Sequence, residues 1–196
     1  NPSRYAPGFA NLPCVTKALA MATQLLGEST EAQGNHAILK PAGMGAATPW
    51  HQDESYWGPE MAYNALSVWV PLQEATLENG CMHFIPGSHR GEVLAHHPIN
   101  HDPRVHGLEV DDPVDPAKAV ACPLAAGGAT FHLARTLHYA GENKTDAPRR
   151  AYIMMFGTPP KPYGGERRFP WLEGRQTARD ARAQVAGTMG ETPDAP

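Results

Sequence analysis

The 196-residue sequence contains no apolar run long enough to cross a bilayer as a helix. It also lacks an excess of positive charge. Lys and Arg number 16 against 20 Asp and Glu, a net charge of -4, so neither nucleic acid nor a membrane surface is expected as a partner. Cysteine is scarce: Cys14, Cys81 and Cys122 are odd in number, far apart and without a CxxC pair. They read as reduced, buried thiols in a reducing compartment, hence a cytoplasmic location. With no internal repeat and no sign of a second domain, residues 1–196 are read as one domain large enough for a sizeable core. The chain opens on Asn1 rather than Met. It is therefore expected to be a fragment or a processed product, incomplete at its N-terminus, with a removed targeting segment left open.

Gly and Pro are plentiful, 19 and 20 residues or about a fifth of the chain. That suits many short strands joined by tight turns better than a helical protein. Residues 1–15 are punctuated by proline and read as extended. Residues 16–27 form the clearest helix, with Thr16 as its cap, Leu19, Leu25 and Leu26 on its apolar side and Gly27 at its stop. Strands are expected at 35–40, from His51, at 64–72, 81–85, 129–133 and 149–156. In 64–72, Leu66, Val68 and Val70 share one face and Ser67 and Trp69 the other. Residues 91–118, rich in His, Pro and Asp without periodicity, read as a long loop or lid. Beyond Pro159, the aromatic residues Phe169 and Trp171 with Leu172 are candidates to pack back, a weak helix is expected at 177–185, and the last ten residues should be disordered. The sum is an all-β fold with flanking helices, a jelly roll whose core spans about 35–158.

The chemistry centres on His51 and Asp53. Two residues apart on an extended chain, their side chains point the same way. They form two-thirds of the 2-His-1-carboxylate set that holds non-haem Fe(II) and leaves positions open. Roughly one His-x-Asp or His-x-Glu is expected by chance in such a chain, so the pair needs its context. Four histidines in the 91–118 segment, His96, His97, His101 and His106, fit no compact tetrahedral spacing and read as surface residues rather than a second metal cluster. His83 and His89 are likewise read as structural.

Five runs supply the context: Trp50-His51-Gln52-Asp53; Val68-Trp69-Val70-Pro71-Leu72; Glu78-Asn79-Gly80-Cys81; Ile85-Pro86-Gly87-Ser88-His89-Arg90; and Gly127-Gly128 through His138, Asn143 and Arg149. Over residues 16–156 their order and spacing resemble the phytanoyl-CoA dioxygenase family. That resemblance implies a double-stranded β-helix (cupin-like) oxygenase using Fe(II), 2-oxoglutarate and O2, with His51, Asp53 and His138 as metal ligands. It further implies that Arg149, eleven residues after His138, pairs with the far carboxylate of 2-oxoglutarate. A planar guanidinium suits that grip better than an ammonium. Arg150 should point the opposite way, to solvent, although a slip of one residue would exchange the two.

Other assignments follow from the same resemblance with alternatives open. Gln52 either faces the co-substrate or hydrogen-bonds a neighbouring strand. Trp69 falls where the family places a tryptophan beside 2-oxoglutarate, or is core. Lys40 is a second cation near that carboxylate, or a solvated lysine. Met44, Tyr56, Trp57, Tyr63 and Met82 are candidates to line an apolar substrate pocket, or are plain core. One departure stands out: the family often has a hydroxyl residue two positions after the distal histidine, and here that position is Ala140. Because Asp53 is present, oxidation such as hydroxylation is expected rather than the halogenation of relatives that lack the carboxylate. The expected activity is oxidation of a C–H bond of a small organic substrate with release of succinate and CO2. The rivals are a non-catalytic metal- or ligand-binding barrel and a hydrolase in which zinc activates water at the same triad.

Overall fold

The computed structural model describes residues 2–43, 45–178, 180 and 181. Prolines set its opening. Pro2, Pro7 and Pro13 each begin a helical turn: α1 (Pro2–Tyr5), a 3-10 turn (Pro7–Asn11) and α2 (Pro13–Leu26). A proline at the first helical position loses no intrahelical hydrogen bond and arrives with a helical φ. For that reason residues 1–15 are not extended, and α2 starts at Pro13 with Leu12 as its cap rather than at Thr16. Gly27 does end the helix, with φ of 111°.

Twelve strands follow among the described residues: β1 (Glu31–Lys40), β2 (Thr48–His51), β3 (Met61–Ala62), β4 (Ala65–Pro71), β5 (Met82–Phe84), β6 (His96–Pro98), β7 (Leu108–Val110), β8 (Val120–Cys122), β9 (Thr130–Leu133), β10 (His138–Ala140), β11 (Arg149–Gly157) and β12 (Lys161–Pro162). Two four-stranded sheets dominate. The larger has the order β1-β11-β4-β9 and the smaller β2-β10-β5-β8, with antiparallel neighbours throughout. This is the expected jelly roll. No helix among the described residues is long and apolar enough to cross a membrane.

Alternation along β4 and β11 divides the core in two. Leu66, Val68 and Val70 pack with Tyr152, Met154 and Phe156 against Ala18 and Ala22 of α2. The opposite faces turn between the sheets, where Trp69, Ala151 and Ile153 meet Cys81, Met82 and Ala140. All seven residues of β4 are buried because helix covers one side and the second sheet the other.

Three further expectations change, and the packing-back of Phe169 and Trp171 holds. β1 begins at Glu31, since its pairing with β11 runs from Glu31 opposite Gly157 to Lys40 opposite Arg149. Cys14 is exposed, on the first turn of α2, while Cys81 is buried. The 91–118 segment is not a plain loop: β6 and β7 pair within it, burying His96 and Leu108. Phe169 is buried and stacks on Trp171, whose indole N–H donates to the Ser55 carbonyl. The expected helix at 177–185 opens with Thr177 and Asp180 exchanging hydrogen bonds as a capping pair. Its continuation past 181, and the last ten residues, lie outside the described residues.

Candidate metal centre and anion pocket

β2 ends at His51, Gln52 is extended, and Asp53 opens a 3-10 turn (Asp53–Tyr56). β10 pairs with β2 so that His138 stands opposite His51, which brings their rings to 4.1 Å between centroids. The Nδ1 of His51 donates to the Pro49 carbonyl and that of His138 to the Thr136 carbonyl, both at 2.8 Å. Each hydrogen bond places the proton on Nδ1 and leaves Nε2 unprotonated, its lone pair free to bind a metal. Those two Nε2 atoms lie 3.9 and 3.7 Å from Asp53 Oδ1. Among the described residues this is the group of three whose ligand atoms come within metal-binding range of one another.

The protonation states match that use. Burial lowers the pKa of His51 and, more strongly, of His138, so both imidazoles are neutral near pH 7. Burial alone would raise Asp53, but His138, His132 and His51 around it hold its carboxyl well below the usual range. Two neutral imidazoles and one carboxylate suit a divalent metal.

The triad forms one wall of a cavity of about 90 Å³ whose lining also includes Thr48, Ser67, Trp69, His132 and Arg149. Arg149 is 1% exposed, and its Nε and Nη1 have no hydrogen-bond partner among the described residues. Its guanidinium lies 5.2 Å from the Trp69 ring centroid. Burial lowers its pKa to about 10, which keeps it charged near neutral pH. A buried cation with unpaired donors is costly unless an anion meets it. Arg150 points away and is exposed.

A model of the phytanoyl-CoA dioxygenase (PhyH) family matches residues 7–151. The chain belongs to that family. Its curated relatives include a protein of Stutzerimonas stutzeri described as a probable alpha-ketoglutarate-dependent hypophosphite dioxygenase, 29% identical over 80% of this chain and 55% of the relative. Phytanoyl-CoA dioxygenase domain-containing protein 1 of Bos taurus is 32% identical over 60% of this chain and 41% of its own length. The chain thus spans about half the length of the curated relatives it matches. Among solved structures it is similar to EvdO2 of Micromonospora carbonacea var. aurantiaca complexed with 2-oxoglutarate, at 47% identity over 88% of this chain and 71% of that one, TM-score 0.83. The epimerase SnoN, solved with Fe3+, alpha ketoglutarate and nogalamycin RO, is 27% identical over 80% and 61%, TM-score 0.63.

Not every residue singled out in the sequence of this PhyH chain reaches the cavity. Trp69 and Met82 line it. Lys40 is 3% exposed, not solvated, and its ammonium donates to the Ala46 and Ala140 carbonyls. Gln52 turns the other way. Its amide nitrogen donates to the Arg135 and Glu92 carbonyls and its oxygen accepts from the Leu94 N–H. Tyr56 stands edge-on to His51 and accepts a hydrogen bond from the Leu108 N–H. Trp57 and Tyr63 pack on each other away from the cavity, and Met44 lies outside the described residues. His96 and His97 are engaged within the 91–118 segment, His97 between Glu109 and Asp111.

Ser67, His132 and Thr48 were not anticipated as cavity residues. Two of them had a signal. Alternation places Ser67 with Trp69, and sets His132 opposite Phe131 and Leu133, which pack toward α2. Thr48 had none, because an irregular register between β2 and β10 carries it to the face of His51.

Proposed function

We propose that this chain is the core of an Fe(II)- and 2-oxoglutarate-dependent dioxygenase that oxidises a C–H bond of a small organic molecule. The observation that carries the reading is one cavity holding both features: a 2-His-1-carboxylate face and, deeper between the sheets, a buried guanidinium with unpaired N–H groups. His51, Asp53 and His138 would hold the metal, which supplies O2 activation coupled to decarboxylation of the 2-oxo acid, yielding succinate and CO2. Arg149 would take the far carboxylate, with Trp69 beside it. Lys40 adds positive charge behind Arg149, and Thr48 offers a hydroxyl in the same pocket. The apolar lining from Ile38, Met82, Ile153 and Met155 keeps water out and fixes the co-substrate's carbon chain.

A zinc hydrolase would use the same triad but leave Arg149 without an anion, and a binding protein would form no succinate. The deciding experiment adds Fe(II), then 2-oxoglutarate, without oxygen. A visible charge-transfer band lost in Asp53→Ala and weakened in Arg149→Ala supports the reading, and oxygen-dependent succinate release separates an enzyme from a binding protein. Folded, metal-loaded protein without the band would overturn it.

A further inference from the structure

We propose that Ser67 and His132 hold Asp53 by one carboxylate oxygen and so make it a ligand through the other alone. This inference rests on the metal site proposed above. The metal-binding side chains come from β2, the turn after it and β10. Ser67 and His132 come from the opposite sheet, where they are direct partners in the β4–β9 ladder. Both are buried and both line the cavity. The Ser67 hydroxyl donates to Asp53 Oδ2 at 2.6 Å. His132 Nε2 lies 3.4 Å from that same oxygen, a close approach rather than an aligned hydrogen bond, and among the described residues no other group competes for either nitrogen of its ring.

Oδ1 has a different environment. It is the oxygen nearest the Nε2 atoms of His51 and His138. The two oxygens of Asp53 are therefore assigned by the fold, Oδ2 to the larger sheet and Oδ1 to the metal. Asp53 needs such a holder because it stands in a 3-10 turn, outside any strand ladder that would fix its orientation. The consequence is chemical. A carboxylate that turned both oxygens to a six-coordinate metal would occupy one of the three positions that a chelating 2-oxo acid and O2 require. Hydrogen-bonding a ligand's outer atom is also the arrangement that tunes metal affinity.

The test uses the full chain loaded with Co(II) and titrated with 2-oxoglutarate, followed by visible absorption, with circular dichroism as the check on folding. Ser67→Ala and His132→Phe are expected to weaken Co(II) binding about tenfold. They should also change the Co(II) spectrum before 2-oxoglutarate is added, as Oδ2 swings to the metal. Ser67→Thr, which keeps the hydroxyl, should restore both, and His132→Gln, which keeps an N–H donor, should restore them in part. Wild-type affinity and spectrum in Ser67→Ala and His132→Phe would overturn the proposal. So would loss of metal in His132→Phe as complete as in Asp53→Ala, which would make His132 a ligand. If wild-type protein shows no Asp53-dependent Co(II) binding, the metal site itself falls and this inference with it.

Discussion

Lys40 and Arg149 stand directly opposite each other across the β1–β11 ladder, two buried cations in register. Burial lowers the Lys40 pKa to about 8, and the positive charge of Arg149 pushes the same way while Glu142 opposes it. Such a pair is an anion site in waiting: the charge that destabilises each cation is the charge a dicarboxylate would neutralise.

The affinity for 2-oxoglutarate should therefore fall as pH rises through about 8. The sign follows from linkage: an anion binds best to the protonated ammonium, which is present below that pKa and lost above it. Arg149 stays charged across this window, with its pKa near 10, so a residual affinity persists. Calorimetric titration of metal-loaded protein from neutral pH to about pH 9 would show the step, and Lys40→Met should flatten it. An identical step in Lys40→Met would assign it to another group.

Gln52 ties the 91–118 segment to the metal ligands on either side of it. Its backbone N–H donates to His96 Nε2, and its side chain bonds Glu92, Leu94 and Arg135. Burial lowers the His96 pKa to about 4, which keeps Nε2 free to accept. Tyr56 adds a second tether at Leu108. Gln52→Ala removes the partner of three partly buried backbone groups, the Glu92 and Arg135 carbonyls and the Leu94 N–H. Hydrogen exchange should accelerate at Leu94 and its neighbours in that variant, and at Leu108 in Tyr56→Phe. Unchanged exchange at Leu94 would mean that the segment is held from elsewhere.

Glu54, next to Asp53, is 1% exposed and is shared by two arginines. Arg135 reaches it through Nε and Nη2 at 2.8 and 3.1 Å, and Arg167 through Nη1 at 2.6 Å. Arg167 also packs over Tyr163 and Phe169, joining the chain beyond β12 to the metal-bearing turn. Glu54→Gln would leave two guanidinium groups short of their counter-ion, and removing one partner of a buried ion pair costs about 3–5 kcal/mol. Urea unfolding should report a loss of that order. A change within the usual surface range of about 0.5 kcal/mol would show that the network contributes little.

What the sequence disclosed and what it hid divide along physical lines. The jelly roll was legible because its strands carry period-2 alternation and its turns carry Gly and Pro. β4 announced both of its faces, Leu66, Val68 and Val70 toward α2 and Ser67 and Trp69 inward. The family motifs likewise brought His51, Asp53, His138 and Arg149 to notice, and those four line one cavity. Missed features depend on partners distant in sequence. Gln52 reads as facing the co-substrate or as hydrogen-bonding a neighbouring strand; alternation sends it to the side opposite its neighbours, where Glu92 and Leu94 meet it. Lys40 reads as either a second cation near the carboxylate or a solvated lysine, because nothing local reveals the Ala46 and Ala140 carbonyls that receive it. The turns at Pro2 and Pro7 were read as extended because proline breaks helices from within but starts them well.

Ala140, where the family often places a hydroxyl, leaves the last question with a specific answer. Its cross-strand partner in β2 is Thr48, and both line the cavity. A hydroxyl one strand away, brought inward by the irregular register of β2, would stand in for the one the sequence lacks. A hydrogen bond to a charged group contributes about 1.5–3 kcal/mol, so Thr48→Val should weaken 2-oxoglutarate binding at least about tenfold while leaving Co(II) affinity unchanged. Ala140→Ser in the Thr48→Val background should recover much of that loss, because it returns a hydroxyl to the neighbouring strand. Equal affinity in wild type and Thr48→Val would show that Arg149 holds the carboxylate without a hydroxyl, and would make Ala140 a departure the pocket tolerates rather than one it compensates.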